Sequence, residues 1–264
     1  MSDRPIARAF AAAHSGGRAA LIPYYTAGYP TRATSLEALR GAASAGADVV
    51  EIGIPFSDPL ADGPTIQRST HAALEQGMTV AGVLALVREA RLAVPVVLMT
   101  YVNPVLSYGP TRFAADARGA GVAGVLFTDL PAGTAPDLER AIGDADLDLI
   151  RLVAPTTTAE RLDAAIRGAG GFVYLISRLG VTGARPDAPV DLDRHVRRLR
   201  AVTRLPVAVG FGISTPAQAA HAARWADGVV VGSALVDALG AGGINAARRL
   251  LEELAGSLAA RGAA

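Results

Sequence analysis

The chain has 264 residues, of which 51% are hydrophobic and 19% are charged, and this composition predicts a globular protein with a sizeable core. Its 25 basic and 24 acidic residues give a formal net charge of +1 and are not gathered in a stripe, so a nucleic-acid-binding surface is not expected. The absence of cysteine excludes disulfides, thiolate nucleophiles and zinc–sulfur sites, and the four scattered histidines lack metal-ligand spacing.

Short β-like runs alternate with amphipathic helix patterns along the whole chain. Residues 1–5 begin no apolar targeting segment, and no apolar run approaches membrane-spanning length, so the sequence predicts a soluble cytoplasmic protein. A helix is predicted over residues 6–14. Eight strands are then predicted at residues 21–26, 48–53, 95–101, 124–128, 148–153, 172–176, 206–210 and 228–231. Helices are predicted between and after them, at residues 35–45, 80–91, 111–120, 135–142, 159–168, 192–203, 216–226 and 244–260.

Eight βα units in a chain of this length predict an α/β fold, the (β/α)8 or TIM barrel, which typically takes about 250 residues. The N-terminal helix is an extra element that would close the N-terminal mouth of the barrel. A doubly wound sheet is the competing architecture, but it needs a glycine-rich turn after its first strand, and residues 26–30 are not such a turn. No linker-like stretch divides the chain, so residues 1–264 are expected to form one domain. Three helix starts carry the capping-box spacing, namely Thr34 with Glu37, Thr157 with Glu160 and Thr215 with Gln218.

A glutamate, Glu51, lies inside the second predicted strand, which is apolar on both faces and therefore resembles a fully buried strand. A lone buried carboxylate is paired, neutralised or functional because burying its charge is costly. Asp62 follows in a loop rich in proline and glycine. Two carboxyl groups in different environments at one strand end favour acid/base chemistry. The alternative is a structural glutamate and an aspartate that caps a helix.

Further polar residues and glycines fall at the carboxyl ends of strands, where active sites of such barrels lie. Tyr101 ends the third strand on the same face as Met99, and Tyr174 lies on the sixth; each phenol needs a polar partner if it is buried, although core packing is the alternative. The seventh and eighth strands are followed by glycine-containing loops at residues 210–214 and 232–234. Such loops frequently bind phosphate through backbone N–H groups, and the alternative is a pair of tight turns without a ligand.

The loop after the sixth strand, residues 177–190, is long and contains two glycines, two prolines and no periodicity. Loops of this length in compact domains are usually lids, binding loops or disordered segments. The sequence predicts a lid that excludes water from a phosphate-bearing substrate. Proteolysis near Arg178 or Arg185 is expected to slow when a ligand binds.

These segments together closely resemble the alpha subunit family of tryptophan synthase. The matching pieces occur in the family's order and cover nearly the whole chain, at residues 51–67, 99–103, 174–183, 210–214 and 232–233. The resemblance implies a (β/α)8 barrel that cleaves indole-3-glycerol phosphate to indole and glyceraldehyde 3-phosphate, with no cofactor and no metal in this chain. Some residues depart from the family pattern: Tyr24 stands where phenylalanine is common, Leu179 stands where a small or polar residue is frequent, and Tyr29 lies in the turn after the first strand.

The resemblance also implies roles for individual residues. Glu51 would be the general acid/base, Asp62 would meet the indole N–H, and Tyr174 would support Glu51. Retro-aldol cleavage fits this pair, because a carboxyl group must protonate C3 of the indole and take a proton from the glycerol hydroxyl. The resemblance also implies a wider set of substrate-binding residues, which line the indole pocket, hold the phosphate or belong to the lid. They are Tyr24, Met99, Tyr101, Leu126, Thr182, Gly183, Phe211, Gly212, Gly232 and Ser233.

By the same resemblance, Asp58, Pro59 and Asn103 would face a beta subunit that carries pyridoxal phosphate and consumes the indole, in an alpha2-beta2 tetramer. A stand-alone lyase that releases free indole is a close variant. A non-catalytic barrel kept as an allosteric partner is a second class, and retention of Glu51 and Asp62 argues against it. A different phosphate-binding barrel, such as an isomerase, would leave the paired loop motifs unexplained.

Overall fold

A computed structural model of the protein describes residues 4–176, 191–210 and 212–258. Eight parallel strands form a closed barrel in which each strand pairs with the next and β8 pairs with β1, which confirms the predicted (β/α)8 fold. The strands are β1 Ala20–Thr26, β2 Val50–Gly53, β3 Val96–Thr100, β4 Val122–Phe127, β5 Asp148–Val153, β6 Val173–Ile176, β7 Val207–Gly210 and β8 Gly228–Val231. Each overlaps its predicted range.

The described part of the chain contains eleven helices, which surround the barrel or cover its ends. They are α1 Pro5–Ser15, α2 Arg32–Ala42, α3 Pro64–Glu75, α4 Val80–Ala90, α5 Val102–Tyr108, α6 Pro110–Ala120, α7 Pro136–Asp144, α8 Ala159–Ala165, α9 Leu192–Arg200, α10 Pro216–Ala223 and α11 Ser233–Ser257. Among the described residues, none of these helices is both long and apolar enough to cross a membrane.

The extra N-terminal helix lies where the sequence placed it. Ile6 and Phe10 of α1 are almost fully buried and belong to the same apolar cluster as inward-facing barrel residues such as Ile22 and Ile150. The ring of Phe10 lies 5.4 Å from the ring of Phe172, measured between centroids. The helix therefore closes the N-terminal mouth, and the opposite mouth is left for chemistry.

Strand alternation sends one set of side chains into the barrel and the other against the helices. Ile22, Val97 and Leu126 belong to the interior cluster, whereas Ile52 and Leu98 belong to the layer between strands and helices. Glu51 precedes Ile52 and so points inward. The strand register places Glu51 directly beside Tyr24 on β1 and beside Val97 on β3.

Several local predictions were wrong. Helices α3 and α5 were not predicted, because each begins within a loop that lacks a long apolar period. Thr31, not Thr34, caps α2, and its side chain accepts a hydrogen bond from the N–H of Thr34. Thr158 occupies the cap position of α8, although Thr157 was expected there. The capping box of Thr215 with Gln218 is confirmed.

The last helix begins earlier than predicted. It starts at Ser233, directly after β8, and includes a non-helical residue at Gly243, whose φ of 67° favours glycine. The predicted helix at residues 244–260 corresponds to the part after this kink. The early start matters for the site, since the N-terminus of α11 lies at the carboxyl mouth of the barrel.

Candidate active site

Glu51 is buried inside the barrel as the second residue of β2. Its side chain is 1% exposed, and its Oε2 atom has no hydrogen-bond partner among the described residues. Burial, followed by the nearby charge of Asp62, raises the pKa of Glu51 from 4.5 to about 8. A carboxyl group with this pKa holds its proton at neutral pH and can donate it to a substrate.

Asp62 is the second buried carboxyl group, at 6% exposure, in the loop between β2 and α3. Burial raises its pKa from 3.8 to about 6, and a hydrogen bond with Tyr101 opposes that rise. At neutral pH Asp62 is therefore mainly ionised while Glu51 is mainly protonated. Environments that separate the pKa values of two carboxyl groups in this way prepare one as an acid and the other as a fixed negative charge.

Backbone and side-chain hydrogen bonds hold Asp62 in place. Its N–H donates to the carbonyl of Pro59 at 3.0 Å, and its own carbonyl accepts from Nε2 of Gln67 at 2.8 Å. The Tyr101 hydroxyl bonds the Asp62 carboxylate and accepts the N–H of Ala61 at 3.0 Å. Tyr101 thus connects the Asp62 loop to the end of β3. Sequence reasoning placed Tyr101 at the mouth but missed this tethering role.

Tyr24 and Tyr174 bring two more phenols to the interior, from β1 and β6. A Cβ atom at residue 53 would lie 2.0 Å from the Tyr24 hydroxyl, and one at residue 210 would lie 2.1 Å from the Tyr174 hydroxyl. The two hydroxyls fit because Gly53 and Gly210 have no side chains. Burial raises the pKa of both phenols well above the usual value, and the Glu51 charge adds to the rise.

The apolar wall beside these groups is formed partly by Tyr24 and Met99, which pack together with Ile66 of α3 and Val236 of α11. Leu126 belongs to the adjoining interior cluster. Such a wall suits a flat aromatic ring. The structure therefore brings together Glu51, Asp62, Tyr24, Tyr101, Tyr174, Met99 and Leu126.

The glycine loops after β7 and β8 lie at the same mouth. Gly212 has a φ of +80°, which favours glycine, and Gly232 occupies the cap position of α11, so that Ser233 is the first helical residue. A Cβ at Gly232 would lie 3.6 Å from Cβ of Tyr24, which places this loop beside the Tyr24 side chain. A helix N-terminus offers unpaired N–H groups to an anion. Three further expected contacts, Thr182, Gly183 and Phe211, lie outside the described residues, as does the segment 177–190 that was predicted to form a lid.

The residues expected to contact a partner lie in the loops around the carboxyl mouth of the barrel, here called the rim. Asp58 and Asn103 are exposed and Pro59 is half-buried. Sequence reasoning missed two neighbours, Leu60 and Leu106, which are 87% and 52% exposed and are the large exposed hydrophobic side chains of the described chain. Leu60 lies within the quoted loop motif, and its apolar character among polar and small residues was a signal for a contact surface.

Comparison with known proteins decides the family. The profile described as "Tryptophan synthase alpha chain" matches residues 10–261. The chain belongs to the tryptophan synthase alpha chain family. The alpha chain of Acidiphilium cryptum is 52% identical over 240 residues, which are 90% of this chain and 87% of that protein. The alpha chain of Gluconacetobacter diazotrophicus is 51% identical over 259 residues, which are 94% of each chain.

Solved structures agree with this assignment. A chain of Mycobacterium tuberculosis tryptophan synthase superposes with a TM-score of 0.91 at 43% identity, over 97% of this chain and 99% of the other. The tryptophan synthase alpha chain of Legionella pneumophila superposes with a TM-score of 0.87 at 34% identity, over 97% and 98%. The resemblance inferred from the motifs is confirmed: the chain is a lyase of tryptophan biosynthesis, and membership of the family implies a beta-subunit partner.

Proposed function

We propose that Glu51 and Asp62 together cleave indole-3-glycerol phosphate to indole and glyceraldehyde 3-phosphate. The observation that carries the proposal is the separation of their pKa values, about 8 and about 6, at the end of one strand. An acid and a fixed negative charge are what a retro-aldol cleavage of an indole requires at neutral pH. The proposal that residues 1–264 form a single domain is supported by the one closed barrel, whose strands run from Ala20 in β1 to Val231 in β8.

Protonated Glu51 would begin the reaction by giving its proton to C3 of the indole. The ring nitrogen then becomes positively charged, and ionised Asp62 stabilises that charge through the N–H group. Glu51, now a carboxylate, would take the proton of the adjacent glycerol hydroxyl. The C–C bond breaks as the new carbonyl forms, its electrons return to the indole ring, and Glu51 ends the cycle protonated as it began.

Binding groups on either side of this pair would orient the substrate. Tyr24, Met99 and Leu126 form the apolar wall for the indole ring, and Tyr174 supports Glu51 from the opposite side of the barrel. The loop glycines Gly212 and Gly232 and the hydroxyl of Ser233 would hold the phosphate. We propose that Thr182, Gly183 and Phe211, which lie outside the described residues, complete the same pocket.

The partner would be a tryptophan synthase beta subunit, in an alpha2-beta2 tetramer, and pyridoxal phosphate would belong to that subunit. Asp58, Pro59 and Asn103 would contact it, with Leu60 and Leu106 supplying apolar area. A physical connection runs from this rim to the chemistry, since Tyr101 binds both the backbone of Ala61 and the Asp62 carboxylate. A beta subunit that repositions the rim loop would therefore move Asp62.

The experiment is an indole-release assay on the purified chain with and without a beta subunit. We expect slow release alone and faster release in the complex, by roughly 5–150-fold for a typical coupling of about 1–3 kcal/mol. The variant Glu37→Gln, which changes an exposed glutamate on α2, should behave as wild type. Fast release that no beta subunit changes would instead identify a stand-alone lyase, and no release in either state would identify a non-catalytic barrel.

A further inference from the structure

The backbone of Asp62 is held on both sides of the carbon that carries its side chain. Its N–H donates to the carbonyl of Pro59 at 3.0 Å, within the loop between β2 and α3. Its carbonyl accepts from Nε2 of Gln67 on α3 at 2.8 Å. The Asp62 side chain leaves the backbone between these two bonded peptide groups, so the two bonds together determine where the carboxylate begins.

Gln67 holds two successive carbonyl groups of this segment. Its backbone N–H donates to the carbonyl of Gly63 at 2.9 Å, as the first turn of a helix does at its N-cap residue. Its side-chain amide reaches one residue further back, to Asp62. The backbone bonds of α3 end at Gly63, and the Gln67 amide extends the hold of the helix to the residue that carries the carboxylate.

The loop has two hydrogen-bonded connections to its surroundings near Asp62. Among the described residues, the hydrogen bonds that leave residues 55–62 go to two side chains, Tyr101 at the end of β3 and Gln67. The Tyr101 hydroxyl accepts the N–H of Ala61 at 3.0 Å. The backbone is therefore fixed to β3 just before Asp62 and to α3 just after it.

Helix α3 is a firm support because it is itself fixed on the barrel. The buried hydroxyl of Ser69 lies 2.7 Å from the buried hydroxyl of Thr26 on β1. Three residues before Ser69, the side chain of Ile66 packs in one apolar cluster with Tyr24 of β1. Gln67 lies between these two anchored positions, so its backbone has a defined place relative to the barrel.

We propose that Gln67 is a positioning residue for Asp62: its amide transmits the fixed place of α3 to the Asp62 backbone and so keeps the carboxylate in the pocket. The inference rests on the proposed role of Asp62 in the cleavage. Gln67 acts through Asp62 and not on the reacting atoms. Because Gln67 is exposed, water competes for its hydrogen bond and the expected effects are moderate.

The pKa of Asp62 reports how well the carboxylate is held, because burial is the largest cause of its rise to about 6. The hydrogen bond with Tyr101 opposes that rise, and Glu51 adds no charge near pH 6 because it is then protonated. The charged and titratable groups of this loop, of α3 near Asp62 and of the elements around them are Asp58, Glu51 on β2, Tyr24 on β1, Tyr101 after β3, and Arg68 on α3, which pairs with Asp237 on α11 at the surface.

Gln67→Met tests the proposal, because methionine keeps the side-chain length and suits a helix but cannot donate this hydrogen bond. The titration midpoint of Asp62 is measured from the carbon NMR shift of its carboxyl group, assigned by its absence in Asp62→Asn. We expect the midpoint to fall by roughly 0.5–1 pH unit, since a carboxylate that is held less firmly spends more time in water. This titration needs no turnover, so it tests Gln67 even if the proposed cleavage mechanism fails.

Two kinetic measurements accompany the titration. The kcat of indole release should fall by roughly 3–10-fold in Gln67→Met with little change in KM, in keeping with the net worth of one hydrogen bond. The fall of kcat/KM on the acid side should move to lower pH together with the Asp62 midpoint. Gln67→Asn keeps the amide but is one methylene too short to reach the Asp62 carbonyl, so it should behave like Gln67→Met.

Gln76→Met is the matched control. Gln76 is an exposed glutamine at the opposite end of α3, and its Nε2 donates to the carbonyl of Pro30 at 2.7 Å. We expect its Asp62 midpoint and its kcat to equal those of wild type. An unchanged Asp62 midpoint in Gln67→Met would overturn the proposal. An equal shift in Gln76→Met would overturn it as well, since the effect would then come from a general weakening of the helix.

The failure of the proposed function gives a different result. If Asp62→Asn retains the full kcat of wild type, the proposed role of Asp62 in the cleavage is wrong. The Asp62 midpoint in Gln67→Met still decides whether Gln67 holds that carboxylate in place.

Discussion

Replacing Glu51 by glutamine should make the protein more stable at alkaline pH. The folded state raises the pKa of Glu51 from 4.5 to about 8, so the folded chain binds more protons than the unfolded chain between these pH values. Stability from this group is complete below pH 4.5 and is lost as pH rises through about 8. At about 1.4 kcal/mol per pH unit, the whole shift corresponds to roughly 5 kcal/mol.

The realised gain will be smaller, because a buried charge recruits water and reorients nearby dipoles. We expect Glu51→Gln to exceed wild type by about 2–4 kcal/mol in free energy of unfolding at pH 9, and to match it within about 1 kcal/mol at pH 5. Urea unfolding at pH 5, 7 and 9 measures this difference from midpoints and slopes. Glu37→Gln, on the exposed face of α2, is the control and should follow wild type throughout. A Glu51→Gln curve parallel to wild type at all pH values would refute the raised pKa.

Three further outcomes follow from the site. Asp62→Asn should lower kcat by roughly 10²–10³-fold with a smaller change in substrate affinity, because it removes a charge that acts on the transition state. Weak substrate binding with an intact kcat would show that Asp62 only positions the substrate. The kcat/KM of wild type should fall above pH about 8, where Glu51 loses its proton, and below pH about 6, where Asp62 becomes neutral, and a profile flat from pH 5 to 9 would contradict this. Leu60→Ser should weaken beta-subunit binding by roughly tenfold in a titration of the two chains and leave the turnover of the free chain unchanged, whereas Arg204→Ser, an exposed change beyond the opposite ends of the strands, should affect neither.

The barrel could be predicted because each strand is a short apolar run between clear breaks. All eight strands lie within about two residues of their predicted bounds, and α1 lies where the pattern placed it. Helices α3 and α5 could not be found from periodicity, since each starts inside a loop without a long apolar period and α5 has only 7 residues. The start of α3 is nevertheless marked in the sequence, because Pro64 lies in its first turn. The start of α5 instead depends on a long-range contact, in which the N–H of Val102 donates to Asp129.

The burial of Glu51 in the candidate site could also be predicted, because it lies in a strand that is apolar on both faces; its role as acid/base stays a prediction. The supporting contacts could not be predicted. The Tyr101 tether to Ala61 joins groups 40 residues apart and depends on how the loop after β2 folds against the end of β3. The Thr26–Ser69 bond joins groups 43 residues apart and depends on how α3 packs on β1. No local pattern encodes such pairs. The fit of the Tyr24 hydroxyl over Gly53 likewise needs the register of β1 against β2.

The most direct test of the account is the indole turnover of Glu51→Gln, measured in the complex with a beta subunit and in the free chain. The amide is nearly isosteric with the carboxyl but cannot carry a proton between C3 and the glycerol hydroxyl. The account predicts a loss of at least roughly 10²–10⁴-fold in kcat, with unchanged circular dichroism, retained binding of a glycerol-phosphate analogue and normal activity in Glu37→Gln. Turnover of Glu51→Gln close to that of wild type would contradict the assignment of Glu51 as the acid/base.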